Sequence, residues 1–237
     1  MDLIHGNSSE NGNHFLYRHL SRTRRIRHTE KSMTQLESLI DATLKRKLSA
    51  LYRAEGRHYH GLSHIGALLA LARDYRTGLS DPEAVDAAIW FHDAIYDSRK
   101  SDNETRSAAL AYEQLSGRAE PERLARITAM IEATATHEIP DLFDPAARRD
   151  AAVFLDMDLS ILGAEPEQFD AYERAVRLEY GWVQEPAWRA GRAAVLRKLL
   201  SRAHIFHTEE FRSRLEEKAR ANIARSLAAL EPPATSA

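Results

Sequence analysis

The chain contains no cysteine. That absence excludes disulfide scaffolds, thiolate zinc sites, iron–sulfur clusters and cysteine nucleophiles together. A bound metal would have to rest on histidine, carboxylate or backbone oxygen. No apolar run approaches the roughly 18–20 residues that cross a bilayer, and residues 1–32 lack the apolar centre of a signal peptide. An excess of one charge is missing too. The 33 Lys and Arg against 35 Asp and Glu leave a formal net charge of -2, so no global basic field points to nucleic acid. What is present is 43% hydrophobic and 29% charged over 237 residues, enough for a sizeable core, which excludes collagen-like, mucin-like or wholly disordered chains. Eleven histidines keep a metal in view.

Residues 1–32 are polar and basic, ending in Arg22-Thr23-Arg24-Arg25-Ile26-Arg27. Asp2, Glu10 and the missing amphipathic face argue against a transit peptide. The stretch reads as a disordered extension, or as an over-long start with Met33 the true beginning. From Met33 the apolar period is helical almost everywhere. Leu36, Leu39, Ile40, Thr43, Leu44, Leu48 and Leu51 share one helix face. A second helix is expected over about 62–75, and a third opens at Asp81-Pro82-Glu83 and runs through Val85, Ile89 and His92. Others are expected at about 103–116, 121–137, 147–162, 166–182, 187–202 and 209–230. All eight prolines fall between these segments, at their first positions or in the tail, where a missing N–H does least harm. No alternating run of β-branched residues predicts a strand. The expectation is an all-α multi-helix globule, one domain over 33–230 with a flexible tail at 231–237, in a cytoplasmic protein.

Four polar clusters interrupt the apolar faces. His58-Tyr59-His60 and His64 stand at the start of the second helix, with His60 and His64 four apart and so on one helix face. His92-Asp93 lies inside Ala88–Tyr96, an otherwise apolar stretch. His137 ends the helix containing Ile127 and Ile131. Asp156 and Asp158 lie inside Phe154–Leu159, again apolar. A buried unpaired carboxylate costs several kcal/mol, so each of these acids demands a cation, an arginine or a metal. A divalent ion bridging the helices would answer both demands, with imidazoles and carboxylates as ligands.

In this order the residues resemble the HD superfamily of metal-dependent phosphohydrolases, whose pattern is an early His, a His-Asp doublet and a late Asp on an α-helical core. The resemblance extends over most of 33–230 and is strongest to a small bacterial group of HD phosphohydrolases. It implies an HD-domain-like fold with His64, His92, Asp93 and Asp158 as metal ligands. Tyr59-His60-x-x-x-His64 also resembles a segment of cyclic nucleotide phosphodiesterases, which implies that His60 is a general acid. Asp156 competes with Asp158; the leucine after Asp158 matches the related segment, leaving Asp156 to orient a ligand or brace the helix. Glu104 and His137 occupy regions where two-metal subfamilies place further ligands, so one ion or two are both allowed. Asp97 is the nearest acid to stand in for the acidic pair that follows the doublet in guanosine tetraphosphate hydrolases.

Imidazole ligands favour Mn, Fe, Co, Ni or Zn over Mg, which prefers oxygen. Arg177 and Arg192 have the forked donors that bind phosphate, although pairing with nearby acids is the better-favoured role. His204 and His207 read as surface or supporting groups, and Phe169, Tyr172, Val176 and Tyr180 as core. The charges alternating along 209–225 read as a solvated helix. The implied activity is hydrolysis of a phosphate ester or anhydride in a nucleotide or other small phosphorylated metabolite. The rivals are a catalytically silent HD-like module binding a nucleotide or a protein, and a di-iron oxygenase. No membrane and no clear nucleic-acid surface is expected, and oligomeric state stays open.

Overall fold

The computed structural model describes residues 38–231. The expectations for 1–32, for a start at Met33 and for residues 232–237 lie outside the described residues. Among those described, nine α-helices form and no strand, only an isolated bridge between Ser116 and Ala119. They are α1 Ala42–Leu51, α2 Leu62–Asp74, α3 Pro82–Phe91, α4 Asn103–Leu115, α5 Pro121–Ala133, α6 Pro145–Leu159, α7 Pro166–Glu179, α8 Glu185–Leu200 and α9 Glu209–Leu230. The protein is an all-α multi-helix globule.

Local chemistry sets the helix starts. Five helices (α3, α5, α6, α7 and α8) carry proline in their opening positions, where its fixed φ suits the helix and its missing N–H has no intrahelical partner to lose. Asp41, Asp81 and Asp144 cap α1, α3 and α6 by accepting the amides of Leu44, Ala84 and Ala146. The Asp41 cap starts α1 later than the spacing of Leu39 and Ile40 suggests; both are buried ahead of the helix. Similarly α5 stops at Ala133 and the chain turns through 134–137 rather than carrying the helix to His137.

At the centre of the core is α3. It buries Ala84, Val85, Ala87, Ala88, Ile89 and Phe91 and packs on α1, α2, α4, α5 and α6, as a helix with so wide an apolar face must. Its N-terminus is pinned by buried Asp150 of α6, which accepts the Ser80 and Asp81 amides at 2.9 and 2.8 Å. Arg123 of α5 pairs with Asp81 at the same end. The other end of α3 then delivers His92 and Asp93 to one face of the bundle.

A 3-10 turn, Ser160–Gly163, follows α6 and packs against α9. A Cβ on Gly163 would meet Leu215 Cβ at 2.6 Å and the Leu215 carbonyl oxygen at 2.8 Å, so only glycine permits this approach. The alternating charges of α9 are not all solvated, contrary to expectation. Arg212 and Arg220 donate to carbonyls of the α8–α9 turn, and Glu216 accepts the Ile205 and Phe206 amides. No helix among the described residues is long and apolar enough to cross a membrane.

Candidate metal centre

The N-terminal turn of α2 and the C-terminal ends of α3 and α6 meet at one place. His64 is the third residue of α2, His92 is the C-cap of α3 with Asp93 next to it, and Asp158 is the penultimate residue of α6. His64 Nε2 lies 3.2 Å from His92 Nε2 and 3.2 Å from Asp158 Oδ1. Asp93 Oδ2 is 3.0 Å from His92 Nε2 and 3.8 Å from His64 Nε2, and His92 Nε2 is 3.6 Å from Asp158 Oδ1. Metal–ligand bonds of about 2.0–2.2 Å put neighbouring donors on one ion roughly 3.0–3.6 Å apart, so this spacing suits a single divalent ion. His64, His92 and Asp158 together form a buried group that could hold a metal.

The tautomer agrees. His92 Nδ1 lies 2.9 Å from the Ile89 carbonyl, which can only accept, so Nδ1 carries hydrogen and Nε2 can present its lone pair to the cluster. Both histidines are buried, while the Asp93 and Asp158 side chains keep 15% and 13% exposure. The centre therefore reaches solvent through its carboxylates. Burial alone would lower the His92 pKa and raise that of Asp93. Their mutual attraction outweighs it, lifting His92 to about 9 and holding Asp93 well below the carboxylate range. Asp158 is also held well down, against its burial, by hydrogen bonds from His137 and His64. The two carboxylates thus stay charged and His92 draws a proton to them, so the site is one that would accept positive charge.

His60 does not share a helix face with His64. Gly61 is the N-cap of α2, so His60 lies in the preceding loop, and the two rings stand 6.2 Å apart. Its position is set by Glu179 at the end of α7. Glu179 Oε1 accepts the amides of His58, Tyr59 and His60 at 2.7–2.9 Å. Its Oε2 takes His60 Nδ1 at 2.6 Å and the Tyr96 hydroxyl at 2.8 Å. Against desolvation, the carboxylates of Asp93 and Glu179 raise the His60 pKa. Arg57 ties the same loop to the doublet, donating to the carbonyls of His60, Asp93 and Ala94. Sequence reasoning passed over Glu179. The signal was present: three residues after Val176 and seven after Tyr172, it is an acid on the buried face of α7.

Asp156 is fully buried but turned away from the donors. It accepts the His207 amide at 2.6 Å, the Thr208 amide at 2.8 Å and the Thr208 hydroxyl at 2.7 Å, bracing the start of α9. His137 does reach the centre, with Nε2 2.8 Å from Asp158 Oδ2. It does so at φ +52°, a left-handed conformation costing a side-chain-bearing residue about 1–2 kcal/mol. Glu104 sits in the first turn of α4 and is not brought to the donors. Asp97 forms a local turn, accepting the Arg99 amide, rather than joining the site.

Both candidate phosphate-binding arginines are engaged by protein. Arg177 donates to Glu185 and to the carbonyls of Tyr180 and Val183. Arg192 is buried against Glu173 and the Tyr172 hydroxyl. Phe169 and Val176 are core, and Tyr172 packs edge-on against Tyr59, 4.6 Å between centroids. His207 is no bystander, because its Nε2 meets the His137 carbonyl at 2.9 Å. A groove of about 730 Å³ beside His207 and Thr208 includes none of the four donors. No family model, no curated protein and no solved structure matches the chain.

Proposed function

We propose that this protein is a metal-dependent phosphohydrolase of the HD type, hydrolysing an ester or anhydride bond in a nucleotide or another small phosphorylated metabolite. The observation that carries the reading is the convergence of His64, His92, Asp93 and Asp158 beside a protonatable His60. A divalent ion held there would supply a water acidified towards neutrality and charge to offset the phosphoryl oxygens. Two imidazole ligands favour Mn, Fe, Co, Ni or Zn over Mg.

The chain's own residues have separate tasks. His64 and His92 offer neutral nitrogen, and Asp93 and Asp158 offer negative charge on the solvent-facing side. His60 is the proton donor: Glu179 holds Nδ1, and Nε2 has no protein partner among the described residues. The neighbouring carboxylates raise its pKa and so favour the protonated ring, the form an acid protonating a departing alkoxide requires. Arg57 and Glu179 hold the His60 loop still against the doublet.

The test is metal analysis of protein purified without chelator, then hydrolysis of a panel of phosphate esters and nucleotides. A stoichiometric divalent metal and a turned-over ester are expected. His60→Ala should keep the metal and lose turnover by roughly 10²–10⁴-fold, less for esters with good leaving groups. Metal without turnover of any ester would leave a silent binding module; no metal and no turnover would end the reading.

A further inference from the structure

We propose that the turn between α8 and α9 is a positioning plate for the metal centre, in which His207 and Arg202 hold His137, and through it Asp158, in register. The inference rests on reading the cluster as a metal site. It starts from His137, whose left-handed φ of +52° is a backbone state that persists only where surroundings enforce it. The enforcement is visible. The His137 carbonyl accepts from His207 Nε2 at 2.9 Å and from Arg202 Nη1 at 3.3 Å, and Arg202 Nη2 donates to the Thr136 carbonyl at 2.5 Å. The His137 amide bonds the Ala133 carbonyl at 2.7 Å. Released from these partners, the backbone would relax towards a right-handed turn and swing the imidazole off Asp158.

The plate is itself tied back to α6. Asp156 accepts the His207 and Thr208 amides, so a closed circuit runs from Asp156 through His207 to the His137 backbone. From the His137 ring it returns to Asp158, two residues from where it began. Arg212, Glu216 and Arg220 of α9 stiffen the plate from behind. The two acids of α6 thus have complementary work: Asp158 Oδ1 faces His64 and His92 while Oδ2 is held by His137, and Asp156 secures the part that holds His137. A carboxylate tethered at one oxygen presents the other at a fixed angle; an untethered one rotates, and metal affinity falls.

The experiment is Mn2+ titration of the full chain and four variants, with far-UV circular dichroism confirming the fold. His207→Ala and His137→Asn should each weaken Mn2+ binding about 10–100-fold, the range for groups that orient a ligand. Asparagine accepts the left-handed backbone at 137 but cannot reach Asp158 as imidazole does. His207→Gln, which keeps an N–H donor, should restore binding to within about threefold of the unaltered chain. The double variant should bind as His137→Asn alone does, because both changes act through one link. Multiplying losses, or Mn2+ binding unchanged in His207→Ala, overturns the proposal while leaving the metal reading intact. If His207→Ala does not fold, Arg202→Gln makes the same comparison from the other side of the carbonyl. Failure of the unaltered chain to bind Mn2+, Co2+ or Zn2+ removes the metal reading and the plate with it.

Discussion

Replacing Glu179 with glutamine keeps the shape of the side chain and removes its charge, so it isolates what the carboxylate contributes. The structure gives that carboxylate three backbone amides, the His60 ring and the Tyr96 hydroxyl, and its side chain is fully buried. Desolvation alone would raise its pKa. The His60 ring and the amides outweigh it and hold the group at about 2 against an ordinary 4.5. A pKa lowered in the folded state means stability that is present above 4.5 and lost as pH falls through 2. At about 1.4 kcal/mol per unit, the difference is worth about 3 kcal/mol at pH 7, falling to about 1 kcal/mol at pH 3.

For a folded region of this size, 3 kcal/mol corresponds to a fall of roughly 6–12 °C in Tm. Urea unfolding of the chelated chain and of Glu179→Gln, at pH 7 and pH 3, measures both quantities without metal loss entering the comparison. Glutamine still accepts the three amides and can donate to His60 Nδ1 or the Tyr96 oxygen, so a folded variant is expected. A deficit below about 1 kcal/mol at pH 7, or one of equal size at both pH values, would refute the reasoning. Either result would mean that the charge is not what anchors the His60 loop.

Asp158→Asn should empty the centre on dialysis, whereas Asp156→Asn should retain metal at reduced affinity and lose stability, since it gives up acceptors for the α9 turn; metal content and Tm distinguish them. Gly163→Ala should destabilise by about 1–3 kcal/mol, because the new Cβ strikes Leu215 including its backbone. Gly66→Ala, in mid-α2 with nothing within 4 Å of the new atom, should stabilise by up to about 1 kcal/mol; urea midpoints check the pair. His92 stands at about 9 without a cation, so a metal binding below that pH must displace its proton. Apparent affinity should therefore rise with pH until about 9, and calorimetry in two buffers of different ionisation enthalpy should register proton release; binding independent of pH would exclude His92 as a ligand.

The helical class, most helix positions and the ordered set His64, His92-Asp93 and Asp158 are legible in the amino-acid sequence alone. These are readable because they depend on neighbours within a turn: the 3.6-residue apolar period, prolines and aspartates at helix starts, and acids stranded inside apolar runs. The sequence did not separate Asp156 from Asp158 on physical grounds, since both lie in the same apolar stretch of α6. Only the packing of α2 and α3 against α6 put Asp158 with the histidines and turned Asp156 towards residues 51 and 52 positions later. The His60–Glu179 pair spans 119 positions, and Arg177 and Arg192 found acids rather than an open site through the fold of α7 and α8. The left-handed His137 belongs to the same category, because its conformation is imposed by Arg202 and His207 rather than by its own sequence neighbourhood. Helix formation is decided by energies a few residues in range; which donor meets which acceptor is decided by how whole helices pack, and the site's supporting bonds are of that second kind.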